Sequence, residues 1–167
     1  MENQLNLFKS NKKKTQKLNF WQVFVDGASR GNPGPSGAGV YIKNNDKDFL
    51  KKGFALGEKT NNQAEYLALA IALFFIKQEK SHNPVINIIS DSELLIKQMK
   101  GLYKIKNPVL RNIKNLIDTL LKNTEYTFKH VLREKNKIAD RLANEGINKK
   151  NGLPQDFKTL LKNYNIE

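Results

Sequence analysis

Four acidic residues stand out in this sequence by where they fall: Asp26, Glu65, Asp91 and Asp140. Asp26 ends the β-prone run Phe20–Val25, and Asp91 follows the nearly continuous apolar run Val85–Ile89 and Ser90. Glu65 is read in the first turn of a helix starting at Asn62, and Asp140 in the first turn of a helix over Lys137–Asn148. Acids at the ends of apolar elements can converge on one edge of a sheet. Carboxylates gathered in this way repel one another and resist ionisation unless a cation sits among them. Hard oxygen donors suit Mg²⁺ or Mn²⁺, and the absence of cysteine leaves no thiolate for softer metals. Two such ions about 4 Å apart can activate a water and stabilise the leaving oxygen of a phosphodiester. Each acid also has a plainer reading. Asp26-Gly27 reads as a turn, Asn62 and Glu65 have capping-box spacing, Asp91 reads as a helix cap, and Asp140 as an answer to a helix dipole. Only the joint pattern points to chemistry.

The elements that must position these acids can be read from periodicity. Phe20–Val25 is a strand, and the stretch Gly27 to Gly39, rich in Gly, Pro, Ser and Asn, reads as a shaped loop. Gly39–Lys43 and Phe49–Leu56 complete an antiparallel meander. Asn62–Gln78 has Leu67, Ile71, Phe74 and Phe75 at helical spacing. Val85–Ile89 reads as a strand buried on both faces. Helices are expected at Ser92–Lys100 and Pro108–Lys122, a last strand at Glu125–Leu132, and a last main helix at Lys137–Asn148. The order β-β-β-α-β-α-α-β-α implies an α/β fold with a mixed sheet flanked by helices. Residues 1–19 read as a flexible basic lead around Lys12-Lys13-Lys14, residues 20–149 as the folded domain, and 150–167 as a tail with a short helix at Phe157–Tyr164.

The chain has 167 residues, enough for one domain with a real core. It carries 29 Lys+Arg against 16 Asp+Glu, a formal net charge of +13, which favours a polyanionic partner. Without cysteine there is no disulfide framework, thiolate zinc site or cysteine nucleophile. No apolar run approaches the roughly 18–20 residues of a membrane span, and Met1–Thr15 has no apolar signal-like core. The expectation is a cytoplasmic monomer with no membrane partner.

Four blocks together resemble the type 1 ribonuclease H family, over about Trp21 to Asn148. They are Val25-Asp26-Gly27-Ala28-Ser29-Arg30-Gly31-Asn32-Pro33-Gly34 with Gly37-Ala38-Gly39, Thr60-Asn61-Asn62-Gln63-Ala64-Glu65-Tyr66, Ser90-Asp91-Ser92, and Asn136-Lys137-Ile138-Ala139-Asp140-Arg141-Leu142-Ala143. The resemblance implies a ribonuclease H-like five-stranded sheet, an antiparallel meander followed by parallel strands. It implies hydrolysis of the RNA strand of RNA–DNA hybrids, leaving 5′-phosphate and 3′-hydroxyl ends. It assigns Asp26, Glu65, Asp91 and Asp140 as catalytic ligands of two Mg²⁺ ions, with Mn²⁺ able to substitute. It places Ser29, Gly31, Asn32, Thr60, Asn61, Asn62, Glu93 and Asn136 against the hybrid. Asparagine amides both donate to and accept from a 2′-hydroxyl, the group that separates RNA from DNA.

The sequence departs from the common bacterial pattern, which has a glycine–histidine pair in a loop before the last acid. Here Phe128 to Asn136 forms a short connection of a kind found in one branch of the family. His130 reads as structural, and Glu134 or Lys135 is the expected aid to product release. Glu93 stands where many members have Gln. Lys104, Lys106, Arg111 and Lys114 read as phosphate contacts or as a solvated lysine face. The alternatives are a catalytically weak hybrid-binding protein and another nuclease of the same fold.

Overall fold

The computed structural model describes residues 19–167. The basic lead expected over residues 1–19 lies outside the described residues, except Asn19, which opens the first strand. Three strands come first: β1 (Asn19–Ser29), β2 (Gly34–Asn44) and β3 (Lys47–Lys59). Helix α1 (Asn61–Gln78), strand β4 (Pro84–Ser90), and helices α2 (Glu93–Met99) and α3 (Pro108–Leu120) follow. Strand β5 (Glu125–His130) leads through a short 3₁₀ turn (Arg133–Lys135) into α4 (Lys137–Lys149), and α5 (Gln155–Asn163) closes the described chain. The five strands lie in the order β3-β2-β1-β4-β5. β1, β2 and β3 pair antiparallel, and β4 joins β1 and β5 in parallel. The mixed α/β sheet expected from the sequence is therefore the observed one.

The stretch Gly27–Gly39 is not the loop its composition suggests. Gly27, Ala28 and Ser29 pair with Ala38, Gly37 and Ser36, so β1 and β2 form a long hairpin turning only over Arg30–Pro33. The glycines answer a packing demand. A Cβ on Gly39 would lie 1.9 Å from the Ala139 carbonyl oxygen, because α4 sits directly on the backbone of β2. β5 also ends two residues earlier than expected, at His130, because Leu132 turns out to solvent ahead of the 3₁₀ turn.

The core lies between the sheet and α1. Val23, Val25, Val40, Ile42, Ile86 and Ile88 meet Leu67, Ile71 and Leu73. α1 is buried almost all round, which its weak amphipathicity foreshadows, because α3 covers its far side. α4 covers the opposite face over β2 and β3. The expected C-terminal helix is present as α5 and is packed onto the domain. Phe157 is fully buried with its ring 5.2 Å from that of Phe74, and the Tyr164 hydroxyl donates to Thr119 Oγ1. The Ala55 amide donates to the Asn151 carbonyl at 2.7 Å, fastening the connection to edge strand β3. Among the described residues no helix is long and apolar enough to cross a membrane.

Candidate active site

Each of the four acids reaches the site on a different element. Asp26 lies within β1, three residues before its end, because the hairpin carries pairing on to Ser29. Glu65 lies in the second turn of α1, not the first, since the helix starts at Asn61. Its expected alternative as a capping residue is ruled out. The capping box is Thr60 with Gln63: Thr60 Oγ1 accepts from the Gln63 amide and Gln63 Oε1 from the Thr60 amide. Asp91 follows β4 directly and does not cap α2, because Ser92 takes that position. Asp140 lies in the first turn of α4, as expected.

Gly27 makes the approach of α1 possible. A Cβ there would fall 2.1 Å from the Glu65 nitrogen, so only glycine lets the helix press against β1 beside Asp26. Asp26 and Glu65 are each only 6% exposed, so water does little to solvate their charge. Burial, with the charges of Asp91 and Asp140, pushes the Asp26 carboxyl up to about 7, and Arg133 and the Gly27 amide pull it back part of the way. Glu65 is held well above the usual carboxylate range, first by burial and then by Asp26 and Asp91, with a smaller push from Asp140. All four acids therefore share one electrostatic pocket.

Two neighbours hold this pocket in shape. Asn136 Nδ2 donates to Asp91 Oδ1 at 2.6 Å and to the Val25 carbonyl at 2.9 Å, tying the start of α4 to β1 and the end of β4. Asn136 was expected as a substrate contact. It is instead buried, at 2% exposure, and serves to position Asp91. Arg133 places its guanidinium 2.6 Å from Asp140 Oδ1. Sequence reasoning assigned Arg133 no role, because its pairing depends on the 3₁₀ turn. Among the described residues no three of these acids are oriented to hold a single ion as they stand. Arg133 engages Oδ1 of Asp140 and Asn136 engages Oδ1 of Asp91. Glu65 Oε2 is nevertheless buried with no hydrogen-bond partner, which marks an unmet need for a cation.

The remaining expected residues fall around this pocket in three groups. Ser29 ends β1, and its hydroxyl lies against the carbonyls of Gly31 and Lys59, either of which can accept its one proton, which shapes the hairpin turn. Asn32 Oδ1 accepts the Asn61 amide at 3.1 Å, so the turn is docked on the start of α1, where Asn61 and Asn62 are exposed beside the capping Thr60. Glu93 starts α2 but is held by Lys97 at 2.6 Å, and that ammonium lowers its carboxyl. Glu134 and Lys135 lie exposed on the 3₁₀ turn, and Glu134 flanks a recess shared with Arg133, Lys137 and Asp140. His130 is exposed at the end of β5 with Nε2 3.2 Å from the Asp91 carbonyl, so it touches the backbone of the site. Sequence reasoning also missed Tyr66, whose buried hydroxyl donates to Gln98, while Gln98 Nε2 donates to the Lys104 carbonyl. This links α1 to the lysine loop after α2.

A sequence model of the family described as "Reverse transcriptase-like" matches residues 24–146. A ribonuclease HI of Halobacterium salinarum is 37% identical over 127 residues, which are 75% of this chain and 63% of that protein. The chain thus spans less than two thirds of that relative's length. The crystal structure of RNase H1 from the same archaeon superposes with a TM-score of 0.73 at 36% identity, over 78% of this chain and 98% of that one. LC11-RNase H1 in complex with an RNA/DNA hybrid gives a TM-score of 0.73 at 37% identity, over 77% and 97% of the two chains. With four acids on four elements of the same sheet architecture, the chain belongs to the type 1 ribonuclease H family.

Proposed function

We propose that this protein is an endonuclease that hydrolyses the RNA strand of RNA–DNA hybrids, leaving 5′-phosphate and 3′-hydroxyl ends. The observation that carries the reading is the buried pocket where Asp26 and Glu65 are driven toward protonation while Glu65 Oε2 lacks a partner. Four carboxyl groups supply hard oxygen donors, two of them buried and pushed toward protonation, and such a set suits divalent ions of the Mg²⁺ class. Asp26, Glu65, Asp91 and Asp140 would hold two Mg²⁺, or Mn²⁺ in their place. Bound there, such ions supply an activated water and charge stabilisation for the phosphodiester.

The chain's own groups do the rest. Asn136 fixes the Asp91 carboxylate, and the Gly27 amide lowers the charging cost of Asp26 and Glu65. The docked turn at Ser29, Gly31 and Asn32, with Thr60, Asn61 and Asn62, offers main-chain groups and amides to sugar hydroxyls and the DNA backbone. Glu93 is a weaker candidate contact, since Lys97 already engages it. Glu134 or Lys135, beside Asp140, aids product departure. The solved hybrid complex of LC11-RNase H1 supports the substrate class. The unit of function is residues 20–149, braced by 150–167, working as a cytoplasmic monomer without a membrane partner.

Incubation with Mg²⁺ and, separately, RNA–DNA hybrid, DNA duplex, RNA duplex and single strands tests the reading. Cuts are expected in the RNA strand of the hybrid alone, abolished by chelator and by Asp91→Asn. Binding without cutting in both Mg²⁺ and Mn²⁺, or cleavage of a DNA strand, would refute it.

A further inference from the structure

The sheet face that carries α4 continues past that helix. On β2, Tyr41 lies two residues beyond Gly39 and shares its face. On β1, Phe24 lies two residues before Asp26 and shares that residue's face. Phe24 and Tyr41 stack across the strands, with ring centroids 5.6 Å apart and an angle of 26°, and both are only partly buried. Between this pair and the start of α4 lies a recess of about 210 Å³, walled by Lys135, Asn136, Lys137 and Ile138. Lys51 reaches over the Tyr41 ring, with Nζ 5.4 Å from its centroid, and Asp48 fixes the ring by accepting from its hydroxyl at 2.6 Å. Glu134 is the other acid at the rim, against Lys51, Lys135 and Lys137.

The site has an aromatic floor, a rim of three lysines against two carboxylates and room for one planar group. Flat π-faced groups joined by phosphates match it, because bases stack on aromatic rings without sequence preference while lysines track the backbone. A second copy of the chain is a poor occupant, since it would bring another net charge of +13 against this face. Phe24 lies about 7 Å along the strand from Asp26, so one polynucleotide can meet both the recess and the carboxylates. Building on the hybrid-cleaving reading above, we propose that this recess binds an unpaired nucleobase of a single strand flanking the hybrid.

Fluorescence anisotropy in chelator, which prevents cutting, tests this. The probes are a blunt RNA–DNA hybrid, the same hybrid with single-stranded overhangs, and rU and dT oligonucleotides. The overhanging hybrid is expected to bind about tenfold tighter than the blunt one, the loss typical of one stacked base being of that order. Tyr41→Ala should erase this advantage and Lys51→Glu should reduce it, with blunt-hybrid binding and cleavage unchanged. An equal affinity of the wild-type protein for the two hybrids overturns the proposal, as does an advantage that survives both variants. If melting finds Tyr41→Ala unfolded, Lys51→Glu, at an exposed position, decides alone. A dimer in sedimentation that Tyr41→Ala disperses, without an overhang advantage, assigns the face to a second copy and also overturns it. Failure of the nuclease reading is separate: it appears as an uncut blunt hybrid in Mg²⁺, whatever the overhang does.

Discussion

Gly39→Ala is a sharp test of whether the seating of α4 sets the chemistry. The added Cβ would stand 1.9 Å from the Ala139 carbonyl oxygen and 2.6 Å from the Ala143 nitrogen. Both are backbone atoms of a helix that cannot fold aside like a side chain. Opening the first contact to an ordinary 3.4 Å lifts the start of α4 by about 1.5 Å. Asp140 is the next residue after Ala139, so its carboxylate moves with the helix, away from Asp26. Overpacking of this kind costs about 1–3 kcal/mol, which leaves the protein folded at moderate temperature. A displacement of about 1 Å at a reacting centre costs about 10²-fold in rate. The expected result is a kcat on the RNA–DNA hybrid lower by about a hundredfold in saturating Mg²⁺, with KM little changed. KM should hold because Asn61 and Asn62 sit at the start of α1 and do not ride on α4. Steady-state kinetics, normalised to the folded fraction by circular dichroism, reads this directly. A melting temperature that falls while kcat stays within about a factor of three of wild type would show that the seat of α4 does not align the carboxylates.

Two further outcomes follow from burial. In metal-free protein the folded-state Asp26 titrates near 7, against 3.8 for the ordinary carboxyl, so the folded state holds an extra proton between those values. Stability should therefore fall as pH rises through that window and level off above it, by up to about 4 kcal/mol, with Glu65 acting in the same direction. Urea unfolding in chelator at pH 5 and pH 8 (about 1 and 4 units above the reference carboxyl value) checks this. Saturating Mg²⁺ should remove most of the difference, and a flat profile in chelator would contradict the burial argument. Phe157→Ala deletes a fully buried ring that packs on Phe74 and should cost about 3–5 kcal/mol in denaturant unfolding, with kcat per folded molecule unchanged.

What the sequence made legible follows from what periodicity encodes. β4 reads as a nearly unbroken apolar run, but it is not covered on both faces as expected, since Val85 and Asn87 lie on a face that is only half-buried. α1 reads clearly because, Glu65 apart, apolar residues fill it from Ala64 to Ile76. The hairpin of β1 and β2 was hidden by its glycines. Composition cannot distinguish a glycine that frees a turn from one that admits a helix, and Gly39 does the second. The same error put Asp26 at a strand end and left Phe24 and Tyr41 unremarked, since their shared face appears only once the register Phe24 to Tyr41 is known. Phe157, Leu160 and Leu161 stand at helical spacing, so α5 is legible as a short helix, but its docking against Phe74 and Thr119 is not, because those partners lie far away in the sequence. Arg133 was invisible for a similar reason. Its distance of seven residues from Asp140 becomes 2.6 Å only through the 3₁₀ turn between them.

The two props of the acidic pocket differ in kind. Asn136 is buried, and one amide nitrogen bridges Asp91 to the backbone of β1. Removing it would leave buried acceptors unpaired, so Asp91 is held in place whether or not a cation is present. Arg133 instead meets Asp140 from solvent, with its side chain 76% exposed. An exposed pair of this type contributes about 0–1 kcal/mol, so a divalent ion can displace it at little cost. The arrangement keeps the Asp91 side of the pocket rigid and leaves the Asp140 side open to exchange of one positive charge for another. That asymmetry fits a basic protein that must keep four acids together while its lysines hold an anionic strand.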